Sequence, residues 1–219
     1  MSHTFSAWRE GLPIYLTPIV FGLALAGVGL AWGSYLSLGL GVPLLLLGAY
    51  ALFFFRDPKR AVPSDPSAVL SGADGTVVGI EDLEETPYHP GPCKRVSVFL
   101  SLFDVHVNRA PVAGTVKDVR YRPGKFLDAR RSETTDVNEA MTILLDTKHG
   151  PVTVRQISGL VARRIVCRCA VGDRLEAGEK FGMIKFGSRT EVYLPPQAEV
   201  LVALGDKVKA GETVVARIA

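Results

Sequence analysis

Cysteine is scarce in this chain of 219 residues: there are three, Cys93, Cys167 and Cys169. An odd, small number excludes a paired disulfide framework and suits a reducing compartment. Cys167 and Cys169 would share one face of a strand, where small buried side chains explain them more simply than a metal or redox pair, and no metal is expected. Excess charge is lacking too. Lys and Arg number 25 against 22 Asp and Glu, a net +3, which removes the electrostatic case for a nucleic-acid partner. Beyond residue 62 no amphipathic helix of convincing length can be read, which excludes a helical bundle for the larger part of the chain.

Charge is missing altogether from Ile14 to Trp32 and from Tyr35 to Phe55. Each run is about 20 residues, enough to cross a hydrocarbon core as helix. Only Gly33-Ser34 separates them, so helices at about 14–32 and 35–55 are expected to form a tight antiparallel hairpin within residues 1–60, either spanning or re-entrant. Pro13 and Pro18 are expected near the start of the first helix, and Pro43 inside the second. Arg9 on one flank and Arg56, Lys59 and Arg60 on the other put both ends on the cytoplasmic side. The second run follows at once, so a cleavable signal peptide is a poor reading. The expectation is a cell-membrane (inner-membrane) anchor with residues 61–219 at the cytoplasmic face.

That remainder reads as short β-branched runs broken by glycine: 76–80, 95–100, 114–119, 141–145, 152–154 and 164–167. The fold class expected is mainly β. Three polar stretches stand out within it. Asp74 sits in the glycine-flanked turn Ser71-Gly72-Ala73-Asp74-Gly75, where a turn aspartate is the plain explanation. Asp104, His106 and Asn108 alternate with apolar residues and would share one strand face, with His106 either an acid–base group or a histidine satisfied by its neighbours. The pair Arg163-Arg164 could grip a phosphate, though solvated surface is the default for any one arginine.

Near the C-terminus, Gly172-Asp173-Arg174-Leu175-Glu176-Ala177-Gly178-Glu179 recurs as Gly205-Asp206-Lys207-Val208-Lys209-Ala210-Gly211-Glu212. The repeat points to a pseudo-symmetric β-sandwich, and it resembles the lipoyl/biotinyl-type barrel. Between the echoes lie two short strands joined at Gly187-Ser188. Two chemistries compete there. In lipoyl-like carriers a hairpin lysine is acylated, which would make Lys185 the arm of a membrane-tethered carrier or adaptor. Alternatively, the Ser188 hydroxyl attacks the Gly187 carbonyl, an N-to-O acyl shift that ends in chain cleavage and a pyruvoyl group. Glycine at 187 leaves that carbonyl uncrowded.

Together with Phe54-Phe55-Arg56-Asp57-Pro58, Ala73-Asp74-Gly75, Asp104 to Pro111, Pro123-Gly124-Lys125-Phe126, Asn138-Glu139, Gly159 to Arg164 and Phe186-Gly187-Ser188, the chain resembles the short, membrane-anchored phosphatidylserine decarboxylases over its whole length. The resemblance implies self-cleavage into 1–187 (β chain) and 188–219 (α chain), which stay one folded unit, with a pyruvoyl cofactor derived from Ser188. It implies a Schiff base with phosphatidylserine, loss of CO₂ and release of the ethanolamine lipid. Asp74 would belong to the maturation relay and His106 would donate the proton during decarboxylation. Longer bacterial forms resemble Asp-x-His-x-x-His here; Arg109 stands in the second histidine's place, so His106 serves both steps or Asp74 acts by another route. Arg163, Arg164 and Arg109 are the candidates for the lipid headgroup. A homo-oligomer is left open.

Overall fold

The computed structural model describes residues 5–160 and 164–218. The chain divides into two compact units, one from Ser6 to Pro58 and one that takes in Lys59 onward. The first is a helical hairpin, α1 (Ala7–Trp32) and α2 (Tyr35–Phe54). Gly33 closes α1 in a left-handed conformation, φ 67°, and the Ser34 side chain caps α2 by accepting the Ser37 N–H at 3.4 Å. The helices touch through small residues. A Cβ at Gly41 would lie 2.8 Å from the Ala26 nitrogen, and one at Gly48 2.4 Å from Ile19, so glycine is what lets the backbones approach. α1 begins well before the uncharged run, because Arg9 and Glu10 are good helix residues that hydropathy ignores; Pro13 and Pro18 therefore lie inside the helix, not at its start. Both helices are long and apolar enough to cross a membrane.

The second unit is mainly β, and among its described residues the helical element is one short turn, α3 (Thr134–Val137). Its strands are β1 (Ala68–Leu70), β2 (Gly75–Leu83), β3 (Cys93–Leu100), β4 (Val107–Arg109), β5 (Gly114–Arg122), β6 (Ala140–Thr147) and β7 (Gly150–Ser158), then β8 (Arg164–Cys167), β9 (Arg174–Leu175), β10 (Lys180–Lys185), β11 (Ser188–Leu194), β12 (Glu199–Val200), β13 (Lys207–Val208) and β14 (Val214–Arg217). Eight form one antiparallel sheet in the order β13-β2-β3-β11-β7-β6-β5-β9; two three-stranded sheets, β1-β14-β12 and β4-β10-β8, complete the unit.

The eight-strand order reads alike from either end, and the echo in the sequence is one of its causes. Gly172 N–H donates to Val116 O at 2.8 Å and Gly205 N–H to Val77 O at 2.9 Å; the Asp173 and Asp206 carboxylates each accept the N–H three residues back, from Ala170 and Ala203, at 2.8 Å. The echoed turns dock β9 on β5 and β13 on β2, at Gly114-Thr115 and Gly75-Thr76. A register shift follows in both strands, between Val77 and Gly79 and between Val116 and Asp118. The second Gly-Thr-Val repeat is a signal that the echo alone did not reveal. Each half has its own apolar core, one around Val69, Val96, Leu194 and Val215, the other around Val116, Ile143, Leu145 and Phe181.

One half, β4 to β10, is continuous in sequence and is inserted between β3 and β11 of the other. The link from β10 to β11 therefore crosses between halves. β10 belongs to a small sheet and β11 to the centre of the large one, so the two strands are not the hairpin that likeness to a lipoyl-type carrier implies. Lys185, expected at a hairpin tip, is buried within β10.

β11 is hydrogen-bonded to β3 and β7 and buried on both faces. Glu191 and Tyr193 alternate along it with Val192 and Leu194, and the polar face is covered as well as the apolar one. Glu191 accepts from Thr135 Oγ1 and Tyr193 Oη, both at 2.6 Å, and pairs with Arg189 Nε at 3.0 Å. Arg155 is buried with its guanidinium 3.5 Å from the centre of the Tyr88 ring. His89, which the sequence places in an uninformative turn, stacks on Tyr193 and meets Thr153 Oγ1 at 3.0 Å. Burial holds its pKa down to about 4. The unfolded chain takes up the His89 proton first, so stability should be full above about pH 6.5 and fall as pH drops from there toward 4. Denaturant unfolding at pH 7 and pH 5 checks this: His89→Gln should lose less stability between the two than the parent, and an equal loss would remove His89 as a cause.

Candidate active site

Four strand ends converge at one edge of the large sheet: the end of β3, the start of β11, the end of β7 and the start of β6. Ser188 opens β11 opposite Leu100 on one side and Ser158 on the other. Antiparallel neighbours in register share a face, so the Ser188 and Ser158 side chains point the same way. Ser188 is fully buried, and its Oγ has no hydrogen-bond partner among the described residues. A buried hydroxyl left unsatisfied costs about 1–3 kcal/mol and calls for a functional explanation.

The residues before it carry strain. Phe186 has φ 68°, the one non-glycine residue with positive φ among those described, and Gly187 follows at φ 66°. Two successive left-handed residues cost of order 1–3 kcal/mol at the phenylalanine and little at the glycine. β10 and β11 hold them by pairing firmly on either side.

His106 completes the turn. It is fully buried just before β4, with Nδ1 3.0 Å from the Asp104 carbonyl and Nε2 accepting the Gly187 N–H at 3.3 Å. The partners settle the tautomer. A carbonyl can only accept, so Nδ1 carries the proton; an amide N–H can only donate, so Nε2 presents a lone pair. His106 Nε2 faces the Phe186-Gly187 turn.

The expected shared face of Asp104, His106 and Asn108 is not found, because β4 begins only at Val107. The Asp104 carboxylate folds back onto the Ser101 N–H at 2.8 Å and Oγ at 2.7 Å. Asn108 is a buried knot: its Nδ2 donates to Thr190 Oγ1 at 3.0 Å and its Oδ1 accepts from Gln156 Nε2 at 2.8 Å.

Asp74 does not bond to Ser188 or His106. It precedes β2 and takes the Arg60 guanidinium on both oxygens, at 2.9 and 2.8 Å, and the Ala210 N–H at 2.8 Å. Arg109 is buried and donates to the Gly178 carbonyl at 3.0 Å. Arg164 is exposed and paired with Lys185 across β8 and β10. Arg163 lies outside the described residues.

Residues that sequence reasoning assigned no role to also converge here. Gly159 faces the Gly187 carbonyl so closely that a Cβ would lie 2.5 Å from its oxygen. Asn138 ties the site together: its Nδ2 donates to Ser158 O at 2.8 Å and to Leu127 O at 2.9 Å. Glu139 is buried, with one carboxylate oxygen accepting Tyr121 Oη at 2.9 Å. Their signal was membership in motifs, which names residues without showing what they touch. A cavity of ≈ 310 Å³ opens beside Gly187, walled by Leu102, Phe103, Ala129, Arg130 and Leu160. Phe103 and Leu160 stay 70% and 67% exposed at its mouth, an apolar lip on a site whose interior is polar.

Residues 47–216 match the family described as phosphatidylserine decarboxylase. A phosphatidylserine decarboxylase proenzyme from Carboxydothermus hydrogenoformans is 45% identical over 211 residues, covering 96% of this chain and 99% of its own. One from Trichlorobacter lovleyi is 46% identical over 215 residues, covering 95% of each, and one from Ralstonia nicotianae is 42% identical over 215 residues, covering 96% and 94%. The match spans nearly the full length of each partner, and this chain belongs to the phosphatidylserine decarboxylase family.

Proposed function

We propose that the chain is a proenzyme that cuts itself between Gly187 and Ser188 and then decarboxylates phosphatidylserine to phosphatidylethanolamine at a membrane surface. One observation carries the reading: an unpartnered, buried Ser188 hydroxyl beside a left-handed turn whose Gly187 N–H donates to His106 Nε2. We assign His106 Nε2, which contacts the adjacent Gly187 N–H, as the base that takes the Ser188 proton once that contact is released. Ser188 Oγ then attacks the Gly187 carbonyl carbon and the Gly187–Ser188 amide becomes an ester. Loss of the Ser188 Cα proton breaks the Cβ–O bond. Residues 1–187 leave with a free carboxylate, and residue 188 becomes a dehydroalanine. Water replaces its nitrogen, releasing ammonia and leaving a pyruvoyl group at the head of 188–219.

Residue 188 suits that conversion. Its Oγ makes no hydrogen bond, so removing it breaks none. The pyruvoyl carbonyl supplies an electrophile for the substrate amine and an electron sink when CO₂ leaves. His106 Nε2 would take a proton from the substrate ammonium as the Schiff base forms and return it, from the imidazolium, to the carbon that loses CO₂, so that one histidine serves both steps. Arg164 offers an exposed guanidinium for the lipid phosphate, with Arg163 beside it in sequence. Arg109, committed to the Gly178 carbonyl, is placed for structure more than for substrate.

A diacyl lipid keeps its tails in the leaflet, so the reaction belongs at headgroup level. The two apolar helices and the exposed Phe103 and Leu160 support this. Residues 1–60 serve as the anchor and 61–219 as the decarboxylase, on the cytoplasmic face of the cell membrane by the positive flanks Arg9, Arg56 and Lys59. The carrier alternative lacks an accessible arm, since Lys185 is 6% exposed.

Denaturing intact mass of the purified protein tests the reading first: two chains breaking at Gly187/Ser188 are expected, the small one lighter than its serine form. Ser188→Ala should stay full-length, folded and inactive; a split mutant would sink the scheme. His106→Ala should slow self-cleavage by about 100-fold or more and abolish decarboxylation, and normal turnover would remove His106 from the mechanism. Gly159→Ala should slow self-cleavage at least about tenfold by driving its Cβ onto the Gly187 carbonyl, about 1.4 kcal/mol of barrier; cleavage at the parental rate would show that the turn yields freely.

A further inference from the structure

Asp74 lies where the pseudo-symmetric half has alanine. Gly75 and Gly114 occupy the same register beneath the two echoed turns, opposite Val208 and Leu175. The residue before each is Asp74 in one half and Ala113 in the other. Both halves also close the same turn contact, Gly211 N–H to Ser71 O at 3.0 Å and Gly178 N–H to Ala110 O at 2.8 Å. The fold builds this junction without an acid, so the plain explanation of Asp74 as a turn residue fails. A buried carboxylate is costly to keep and must have a partner.

Its partner comes from the segment that leaves the hairpin. The Arg60 side chain is 6% exposed and the Asp74 side chain 12%, and one guanidinium nitrogen reaches both carboxylate oxygens. The other nitrogen approaches Glu212 at 3.5 Å, while the Ala61 N–H donates to the same Glu212 carboxylate at 3.2 Å. Arg60 and Ala61 are thus clamped onto the second echoed turn, which also supplies the Ala210 N–H to Asp74.

We propose that Arg60 is a positioning residue for self-cleavage: it holds Asp74 as an oriented, ionised carboxylate, so that the segment joining anchor to enzyme is part of the maturation machinery. The proposal rests on the reading that Asp74 takes part in maturation at Ser188. Asp74 is placed to act at a distance. Gly75, its neighbour, packs on Phe99, and the next residue of β3, Leu100, pairs with Ser188. Asp74 also feels the charge of Asp104, whose carbonyl orients His106.

Burial pushes the Asp74 carboxyl above the usual carboxylate range; the Ala210 N–H and Arg60 oppose that rise, and Asp104 adds to it. The other charged groups around it are Glu212 and Lys209 on the echoed turn and Arg109, whose side chain packs at Gly211. Without Arg60 the carboxyl stays protonated to higher pH. Cleavage that needs the ionised form then has its acid limb displaced upward.

The test is cell-free synthesis of full-length chains, followed by the rate of conversion to 1–187 and 188–219 between pH 6 and 9. Arg60→Gln should be at least about tenfold slower than the parent at pH 7 and recover as the pH rises, a shift of one pH unit or more in the acid limb. Arg60→Lys, which keeps the charge, should move the limb less. Arg60→Gln with Asp74→Asn should cleave no slower than Asp74→Asn alone, because Arg60 acts only through Asp74. This double variant leaves no unpaired buried charge, so it decides the matter if Arg60→Gln fails to fold. A rate equal to the parent's at every pH, a loss independent of pH, or a double variant slower than Asp74→Asn by the full Arg60→Gln factor would each overturn the proposal. A parent chain that never splits would instead overturn the reading of Gly187-Ser188 itself.

Discussion

The structure depends on one crossing. Where β10 ends in a small sheet and β11 begins at the centre of the large one, two residues must turn the chain between halves, and both are left-handed. The turn cannot relax, because β11 is hydrogen-bonded along both edges and buried on both faces, while β10 is paired to β4 and β8. Strain in a loop dissipates; strain between two pinned strands is kept. The same pinning holds the Gly187 carbonyl against Gly159 and brings His106, which leads into the strand beside β10, onto the turn.

Pseudo-symmetry explains why this crossing exists. An inserted half must leave and re-enter its host, and the return passes through Phe186-Gly187. It also separates what the fold requires from what the site requires. Glycines at 172, 178, 205 and 211 have matched positive φ values of 93°, 77°, 92° and 73° and belong to the architecture. Asp74 and His106 have no counterpart across the pseudo-axis, where Ala113 and Ser67 stand, so the architecture alone does not require them. The buried layer on the far face of β11, with Arg95, Arg155 and Arg189 around Glu191, is a third case. Such a network adds little net stability over an apolar layer, but losing one member leaves a buried charge unpaired.

The hairpin follows different physics. Its helices expose apolar side chains such as Leu30, Leu36 and Leu46 and meet through glycines, an arrangement suited to hydrocarbon surroundings, where close backbone packing replaces the hydrophobic drive between helices. A lipid substrate that stays in its leaflet gives that design a purpose.

Much was legible along the chain. Two uncharged runs determined two apolar helices by length alone, glycine-punctuated β-branched runs determined a mainly β unit, and the echoed turn announced its pseudo-symmetry, because each of these is a local pattern of period or composition. The Gly187-Ser188 step and His106, which the sequence singled out, lie together in the structure, whereas Asp74 bonds to neither of them. The partners could not be read from the sequence. That β10 and β11 part into different sheets, that Glu191 and Tyr193 face protein and not water, that Asp104 orients His106 with a carbonyl and not a carboxylate, and that Asp74 belongs to Arg60 were decided only by tertiary structure. Sequence periodicity reports which face of a strand is apolar; it carries no record of which distant segment comes to cover the other.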